Sequence, residues 1–436
     1  MNPNRLLLLL ALAALPVSYA FAGGGAHGDP SAHYALVLAA VLAVAKLGGE
    51  AAVRLGQPAV LGELLAGVLL GNLRHAGVTL FEPVKTDPFV AVVAGLGVLL
   101  LLFEVGLEST VKEMMSVGLP ALVVAVLGVV APIGLGWGVG VLLLPDASTY
   151  LHLFLGATLC ATSVGITARV LKDLEWSRRI ESRIILGAAV IDDVLGLVVL
   201  SVTTGFVVAA GTGTAPSAGA VGWIALKSFL FLGGAIVAGS FLAPGFMKAA
   251  SRLRSRGVLL TAGMAICFGF SWAADAVGLA AIVGAFAAGL ILEESQYERF
   301  IERGERSLED LVHPLSLFLV PVFFVLMGLH TDLAAFGDPR VLGLAGALTV
   351  AAVIGKQACS LGVWTKGIDR LTVGLGMIPR GEVGLIFANA GLTLTLGGAP
   401  LISPAVYSAL VVMVVVTTLL TPPALAWRIN RLKARS

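Results

Sequence analysis

The sequence is poor in charge and in cysteine. Only 12% of its 436 residues are charged and the net charge is +2, so the basic surface needed to bind nucleic acid is not expected. Cys160, Cys267 and Cys359 lie in apolar stretches and have neither the spacing of a zinc site nor the even number of a disulfide framework. The sequence also lacks a nucleophile elbow, a phosphate-binding loop and a metal-ligand cluster. These absences argue against an enzyme, and no cofactor is expected.

What the chain has in abundance is apolar sequence. Hydrophobic residues make up 58% of it and the mean hydropathy is +0.98, as is typical of a protein that crosses the lipid bilayer many times. Long apolar runs predict an all-α polytopic membrane protein with about thirteen transmembrane helices. The predicted spans are 34–54, 58–72, 88–108, 117–143, 151–170, 183–207, 221–247, 257–274, 278–292, 313–330, 341–364, 372–393 and 404–427.

Charge in the loops predicts the orientation. Lys and Arg follow the fifth span, the seventh span and the last span, whereas the loops at 208–220 and 394–403 carry no charge. The positive-inside rule therefore places the basic tail at 428–436 in the cytoplasm and the N-terminus outside, as expected for a protein of a bacterial inner membrane. Residues 1–22 have the pattern of a cleavable signal peptide, or of a short extra helix, and 23–33 form a flexible extracytoplasmic lead.

A repeat relates the two halves of the chain. Three glycines recur 222 positions later: Gly62 as Gly284, Gly67 as Gly289 and Gly106 as Gly328. Because an odd number of spans separates the copies, the second copy has the inverted topology, which is common in secondary transporters that bind substrate near the midplane. The sequence thus predicts a first inverted repeat at 34–207, a linker span within 208–256 and a second repeat at 257–427.

Two spans have sequences that do not suit a continuous helix. The fifth contains Thr162 and Ser163 in a cluster of hydroxyls and glycines, and the twelfth contains Pro379, Arg380 and Glu382 near its middle. Irregular backbone at that depth is tolerated only where it lines a cavity or is buried in protein. Two broken helices at corresponding positions of the repeats therefore point to a binding site.

Ionisable residues within apolar spans are the main functional candidates. Asp192 and Asp193 adjoin in the sixth span, and Lys356 lies in the eleventh. A charge at mid-membrane costs about 2.5 to 3.5 kcal/mol on insertion scales, so such residues are functional as a rule. A buried lysine needs an anion, and Asp192 is the partner we expect. The alternatives are that neighbouring side chains neutralise both carboxylates and that Lys356 reaches the membrane interface.

Other polar residues in the spans have structural roles by expectation. Arg380 and Glu382 are predicted to stabilise the break in the twelfth span by pairing with each other, with Glu63 or with Glu104. Asn389 is equally suited to a polar contact in the core and to packing.

Four features in order resemble the cation:proton antiporter-2 family of sodium/proton exchangers. They are the run ATSVGITARVL at 161–171, the run IDDVLGL at 191–197, the mid-span Lys356 and the run PRGEVG at 379–384. The resemblance implies that Asp193 carries the cation or the proton, and that Asp192 and Lys356 form an ion pair that takes part in proton coupling. It also implies crossed discontinuous helices, a homodimer and electrogenic exchange, which the paired aspartates indicate.

The function predicted from these features is antiport of Na⁺ or Li⁺ against H⁺ by alternating access. Oxygen atoms suit a small hard cation, and Asp193, Thr162 and Ser163 supply them. The transported cation is the only metal ion expected. The alternatives are K⁺/H⁺ antiport, sodium-coupled symport of an organic anion by the same fold, and a membrane sensor without transport.

Overall fold

The structure is a computed structural model, and it is almost wholly helical. It describes residues 30–55, 57–79, 81–108, 118–176, 179–211, 218–253, 255–277, 279–292, 297–364 and 367–434. The helices are α1 (Pro30–Arg54), α2 (Ala59–Asn72), α3 (Glu82–Thr86), α4 (Pro88–Glu108), α5 (Gly118–Leu143), α6 (Thr149–Cys160), α7 (Val164–Asp173), α8 (Ile180–Gly211), α9 (Ala218–Ala250), α10 (Val258–Ala276), α11 (Ala281–Ile291), α12 (Glu298–Ile301), α13 (Leu308–Leu329), α14 (Pro339–Gln357), α15 (Arg370–Gly376), α16 (Gly381–Thr393) and α17 (Pro404–Lys433). A short antiparallel hairpin, β1 (Thr395–Leu396) and β2 (Ala399–Pro400), precedes α17.

Each predicted span coincides with one helix or, for the fifth and twelfth, with a pair of helices in the described residues. Eight of the described helices are long and apolar enough to cross a membrane unaided, while α6, α11 and the apolar part of α16 are shorter. The protein is therefore an all-helical integral membrane protein, as predicted.

The ends of the chain differ from the sequence prediction in two details. The proposed signal peptide and residues 23–29 of the proposed lead lie outside the described residues, and α1 already begins at Pro30, so the end of the predicted lead is helical. The last helix continues past the predicted boundary at 427 to Lys433. Arg428 explains part of this extension, because it binds Asp369 and so holds another turn of α17 in place.

Contacts between helices repeat with the same offset as the glycines. A Cβ atom added to Gly62 of α2 would stand 2.0 Å from the carbonyl oxygen of Gly48 in α1. One added to Gly284 of α11 would stand 2.0 Å from the carbonyl oxygen of Phe270 in α10. Gly48 and Phe270 are themselves 222 positions apart, so the packing of α1 on α2 recurs in α10 on α11. Such close backbone approach is available only to small residues.

The two halves also contact each other in an equivalent way. A Cβ atom added to Gly67 of α2 would stand 3.0 Å from the Cα atom of Gly328 in α13, and one added to Gly106 of α4 would stand 3.0 Å from the Cα atom of Gly289 in α11. Gly289 and Gly328 lie 222 positions after Gly67 and Gly106, so the offset relates the contact of Gly67 with Gly328 to the contact of Gly289 with Gly106. The fold therefore contains the two inverted repeats that the glycine spacing predicts.

The remaining spans enclose the two interrupted helices. α5 packs against α6, α8 and α14, and α14 in turn packs against α17. α17 also contacts α7, α15 and α16. The breaks in the fifth and twelfth spans are thus held inside protein rather than facing lipid, which is where irregular backbone is tolerated in a membrane.

Candidate ion-binding site

The two interrupted spans meet at their breaks. The backbone N–H of Ser163, between α6 and α7, donates to the carbonyl oxygen of Pro379, between α15 and α16, at 2.8 Å. The hydroxyl of Thr167 donates to the carbonyl oxygen of Gly376 at 2.7 Å. Backbone groups that each helix leaves unpaired at its break are therefore satisfied by the other helix. The predicted crossed discontinuous helices are confirmed.

Local sequence explains why the chain leaves the helical conformation here. Pro379 lacks the N–H that a continuing helix requires. Gly381 has a φ of +45°, which disfavours a residue with a side chain, and an added Cβ would stand 2.6 Å from both Cβ and Oγ of Ser163. Glycine at 381 thus allows the backbone of the twelfth span to lie directly against the Ser163 side chain in the break of the fifth span.

Arg380 binds two backbone carbonyls. Its side chain is fully buried, and its two terminal nitrogens donate to the carbonyl oxygen of Ala161 at 2.8 Å and to that of Ala352 in α14 at 2.9 Å. Ala161 follows the C-terminal end of α6, where unpaired carbonyls and the helix dipole create negative potential. The guanidinium neutralises this helix end and ties it to α14.

Two of the acidic residues considered as partners for Arg380, Glu63 and Glu104, pair with other residues. Glu63 of α2 lies 3.7 Å from Lys46 of α1, and Glu104 of α4 lies 2.6 Å from His313 of α13. Both glutamates belong to the layer built from α1, α2, α4 and α13, and the pairs they form stay within that layer. Glu382 is in the first turn of α16, and its side chain lies outside the described part of the structure.

Lys356 and Asp192 form a buried ion pair. The Nζ atom of Lys356 donates to both carboxylate oxygens of Asp192, at 3.0 and 3.1 Å, and neither side chain has appreciable exposure. Lys356 is near the end of α14, which continues as a 3₁₀ turn over Ala358–Gly362. The lysine is therefore held inside the protein and does not reach the membrane interface.

Asp193 has a different environment from its neighbour. Successive residues of a helix point about 100° apart, so Asp193 cannot share the position of Asp192 on α8. Its residue exposure is 9%, compared with 1% for Asp192. α8 packs against both α6 and α7, which places the aspartate pair on a helix adjoining the break of the fifth span. Asp193 is thus the more accessible carboxylate of the pair.

The break of the fifth span also contains a hydroxyl group that has no hydrogen-bond partner among the described residues. Thr162 and Ser163 are both fully buried, and the Oγ1 atom of Thr162 makes no hydrogen bond in the described residues. An unpaired polar atom in the interior costs about 1 to 3 kcal/mol unless a ligand or water satisfies it. This hydroxyl is therefore suited to bind a cation or a water molecule.

Cavities lie towards opposite ends of α16. One of 300 Å³ lies by the N-terminal end of α16 and is lined by Pro58, Ala59, Val60, Leu61, Leu64, Ile166, Gly381, Leu385, Val414 and Thr418. Another of 600 Å³ includes Asn389 and Thr393 near the C-terminal end of α16, together with Lys85 and His330. Asn389 thus lines a cavity.

Sequence reasoning missed Thr418 of α17. Its hydroxyl accepts a hydrogen bond from the N–H of Gly381 at 3.3 Å, and it also lines the smaller cavity. The available signal was the pair of adjacent threonines at 417 and 418 within the apolar last span. Hydroxyls in apolar helices often bond their own backbone, so that signal alone did not select a site.

Comparison with known proteins identifies the family. The profile of the transmembrane sodium/hydrogen exchanger family matches residues 8–430. The chain belongs to this family. The sodium/hydrogen exchanger profile covers both interrupted spans, the aspartate pair and Lys356.

Three curated relatives agree with this assignment. The high-affinity Na⁺/H⁺ antiporter NhaS3 of Synechocystis is 37% identical to this exchanger, over 89% of this chain and 88% of the relative. The Na⁺/H⁺-K⁺ antiporter GerN of Bacillus cereus is 33% identical, over 89% and 95% of the two chains. An Na⁺/H⁺ antiporter of Enterococcus hirae is 31% identical, over 88% and 95%.

A solved structure shares the fold. The sodium proton antiporter MjNhaP1 of Methanocaldococcus jannaschii superposes with a TM-score of 0.65 at 16% sequence identity, over 89% of this chain and 94% of that one. At that identity the likeness concerns the arrangement of helices.

Proposed function

We propose that this exchanger is a secondary antiporter that moves Na⁺ or Li⁺ in one direction and H⁺ in the other, with Asp193 as the carrier. The observation that carries the proposal is the unequal environment of the two aspartates. Asp192 forms a buried ion pair with Lys356. Asp193 is more exposed, and it lies on a helix that adjoins the crossed breaks. We therefore assign the exchanged ions to Asp193, the more exposed aspartate of the pair.

Antiport requires that cation and proton compete for one place. In a site shielded from water, an ionised carboxylate is disfavoured unless a positive charge compensates it. A bound proton or a bound sodium ion neutralises the carboxylate. The two cannot bind the same oxygen atoms at once. The Lys356–Asp192 ion pair adjoins Asp193 in the sequence, and we propose that it takes part in coupling proton movement to cation movement.

Oxygen atoms near the breaks supply the other ligands for the cation. The hydroxyl of Thr162 lacks a partner within the described part of the chain, and Ser163 adjoins it. Carbonyl groups of the interrupted helices add further oxygens of the type that small hard cations prefer. The dipoles of the half-helices, together with Arg380, balance the charges at the crossing.

Alternating access follows from movement of one repeat against the other. The smaller cavity lies at the Pro58 end of α2 and the larger one at the opposite end of α16. With the orientation expected from the basic loops, the smaller cavity belongs to the cytoplasmic side. The same orientation puts the C-terminus in the cytoplasm of a bacterium, and we propose a homodimer as the working unit.

Potassium is the second candidate for the cation. The name of the Bacillus cereus relative includes K⁺ beside Na⁺. Both ions take oxygen ligands, so the residues at the site are compatible with either. Electrogenic exchange, with more than one proton per cation, remains the stoichiometry that we propose from the paired aspartates.

A transport assay in everted membrane vesicles tests the proposal. Vesicles from cells without their own exchangers are energised, and a pH-sensitive dye reports proton movement on addition of Na⁺, Li⁺ or K⁺. We expect a response to Na⁺ and Li⁺ that Asp193→Asn abolishes and that Asp275→Asn, a change at an exposed position of α10, leaves intact. Full exchange by Asp193→Asn would disprove its role as carrier, and a response to K⁺ alone would establish the second candidate.

A further inference from the structure

Gly128 of α5 faces the buried ion pair at very short distance. A Cβ atom added to Gly128 would stand 2.9 Å from the Sγ atom of Cys359, 3.2 Å from the Nζ atom of Lys356 and 3.6 Å from the Oδ1 atom of Asp192. Real Cβ atoms essentially never approach another heavy atom within 3.0 Å, so a side chain at 128 would displace at least one of these groups. Only glycine fits beside the pair in its present geometry.

The helices around Gly128 have little freedom to move apart. One turn further along α5, Pro132 packs on Gly355 of α14 so closely that a Cβ added to Gly355 would stand 2.9 Å from the Cα atom of Pro132. Lys356 follows Gly355 directly, and the backbone of α14 is therefore fixed against α5 just where the lysine side chain leaves it. Separating the helices to admit a methyl group at 128 would open this close packing, so we expect the ends of the Cys359 and Lys356 side chains to shift instead.

We infer that Gly128 is a positioning residue, which leaves the space in which the Lys356 ammonium binds both oxygens of Asp192. The inference rests on the proposed role of this pair in proton coupling. The Cys359 thiol borders the same space, at 2.9 Å from the position of an added Cβ. Pushing the ammonium away from the carboxylate weakens the ion pair. Because the proposed proton coupling depends on this pair, we expect exchange to start at a lower pH.

The test compares three variants in purified, reconstituted protein. Gly128→Ala adds the methyl group beside the pair. Gly134→Ala makes the same change on α5 at a glycine with nothing within 4 Å, and so controls for the altered backbone entropy of the helix. Gly128→Ala/Cys359→Ala removes the thiol that lies nearest to the new methyl group. For each protein we would measure the pH of half-maximal Na⁺-dependent exchange, and separately how the thermal unfolding midpoint in detergent varies with pH.

Gly128→Ala should lower the pH of half-maximal exchange by about 0.5 unit or more, a threefold change in proton affinity. Gly134→Ala should leave it unchanged, and the double variant should return part of the way to the wild type. An unshifted profile in folded Gly128→Ala, or an equal shift in Gly134→Ala, would overturn the inference. If Gly128→Ala does not reach the membrane, the test uses the double variant Gly128→Ala/Cys359→Ala. A pH profile of exchange equal to that of the wild type would then count against the inference.

The experiment distinguishes failure of the proposed antiport from failure of the role inferred for Gly128. Should the wild-type protein show no cation/proton exchange, antiport itself is wrong, and the unfolding measurement still reports on the ion pair. A positioning role then requires that Gly128→Ala, but not Gly134→Ala, alters the pH dependence of the unfolding midpoint. An unaltered pH dependence would overturn it.

Discussion

The backbone amide of Ser163 and the carbonyl of Pro379 join the two interrupted helices through one hydrogen bond of 2.8 Å. Ser163 precedes the first turn of α7, and Pro379 follows the last turn of α15, so each supplies a group that its own helix leaves unpaired. In a membrane no water replaces such a bond. The breaks are therefore mutually dependent, and we expect them to move as a unit during transport.

The unpaired hydroxyl of Thr162 gives the first prediction. Thr162→Val keeps the shape of the side chain and removes Oγ1, which has no hydrogen-bond partner in the described residues. Stability should be unchanged or slightly higher, because no protein hydrogen bond is lost. The KM for Na⁺ should rise several-fold, about 1 kcal/mol of lost cation binding. Both quantities are measured on the reconstituted protein, by thermal unfolding and by exchange at varied Na⁺.

Thr158→Val is the matched control for that change. The hydroxyl of Thr158, one turn earlier on α6, donates to the carbonyl oxygen of Phe154 at 2.9 Å within its own helix. Its loss should leave the KM for Na⁺ unchanged. An unaltered KM in Thr162→Val, or an equal rise in both variants, would refute a role for Thr162 in cation binding.

The Lys356–Asp192 pair gives a prediction about coupling. Removing one member leaves the other as an uncompensated buried charge, so Lys356→Gln and Asp192→Asn should each destabilise the protein by about 3 to 5 kcal/mol. The double variant has no buried unpaired charge at this place and should cost much less than the sum of the two. The unfolding midpoints of the wild type, the two single variants and the double variant are measured and compared in a double-mutant cycle. Strict additivity would mean that the two side chains do not interact in the membrane.

This ion pair shows what could be predicted from the sequence. A lysine and an aspartate in apolar spans have few ways to avoid the cost of burial, so their pairing follows from composition and depth alone. The glycine offset likewise predicts the repeat, because close backbone contacts demand small residues at fixed positions. General physical rules of this kind need no coordinates.

Arg380 shows why the rest could not be predicted. Its partners are the carbonyls of Ala161 and Ala352, which every residue type offers and which become acceptors only when the helix break leaves them accessible. Charge alone therefore suggests carboxylates as partners, namely Glu382, Glu63 and Glu104. Glu63 and Glu104 lie in another layer of helices. Which faces of the spans pack together cannot be inferred from the sequence.

Arg380 yields a third prediction. Arg380→Lys keeps the charge but replaces a planar group that reaches two carbonyls with a single ammonium. One of the two carbonyls should lose its partner, at a cost of about 1 to 3 kcal/mol in stability. Arg54→Lys is the control, since Arg54 pairs with the exposed Glu50 and its replacement should cost under about 1 kcal/mol. Similar unfolding midpoints for the two variants would contradict the bridging role of Arg380.

A fourth prediction concerns the ion pair at the start of α15. The guanidinium of Arg428 and hydrogen bonds from Thr372 hold the pKa of Asp369 at about 2, below its ordinary value of 3.8. Because the folded value is the lower one, this pair stabilises the fold fully above about pH 4, and the contribution is lost as pH falls through 2. Solvent screening at this partly exposed pair leaves about 1 kcal/mol.

Asp369→Asn isolates that contribution, because asparagine still caps α15 but cannot form the ion pair. Between pH 5 and pH 2 the wild type should lose about 1 kcal/mol more stability than the variant does. Asp338→Asn, which changes the carboxylate that caps α14, is the control. Equal acid sensitivity of the wild type and Asp369→Asn would show that the Arg428 pair does not contribute.

The final prediction tests the equivalence of the two repeats through their glycine contacts. A Cβ atom at Gly106 of α4 would stand 2.4 Å from the carbonyl oxygen of Phe286, and one at Gly328 of α13 would stand 2.2 Å from that of Leu64. Backbone atoms cannot give way as a side chain can, so Gly106→Ala and Gly328→Ala should each cost about 1 to 3 kcal/mol. Gly95→Ala, on the same helix as Gly106 but with nothing within 4 Å, should cost nothing. A harmless Gly106→Ala, or unlike costs at 106 and 328, would contradict the packing that relates the repeats.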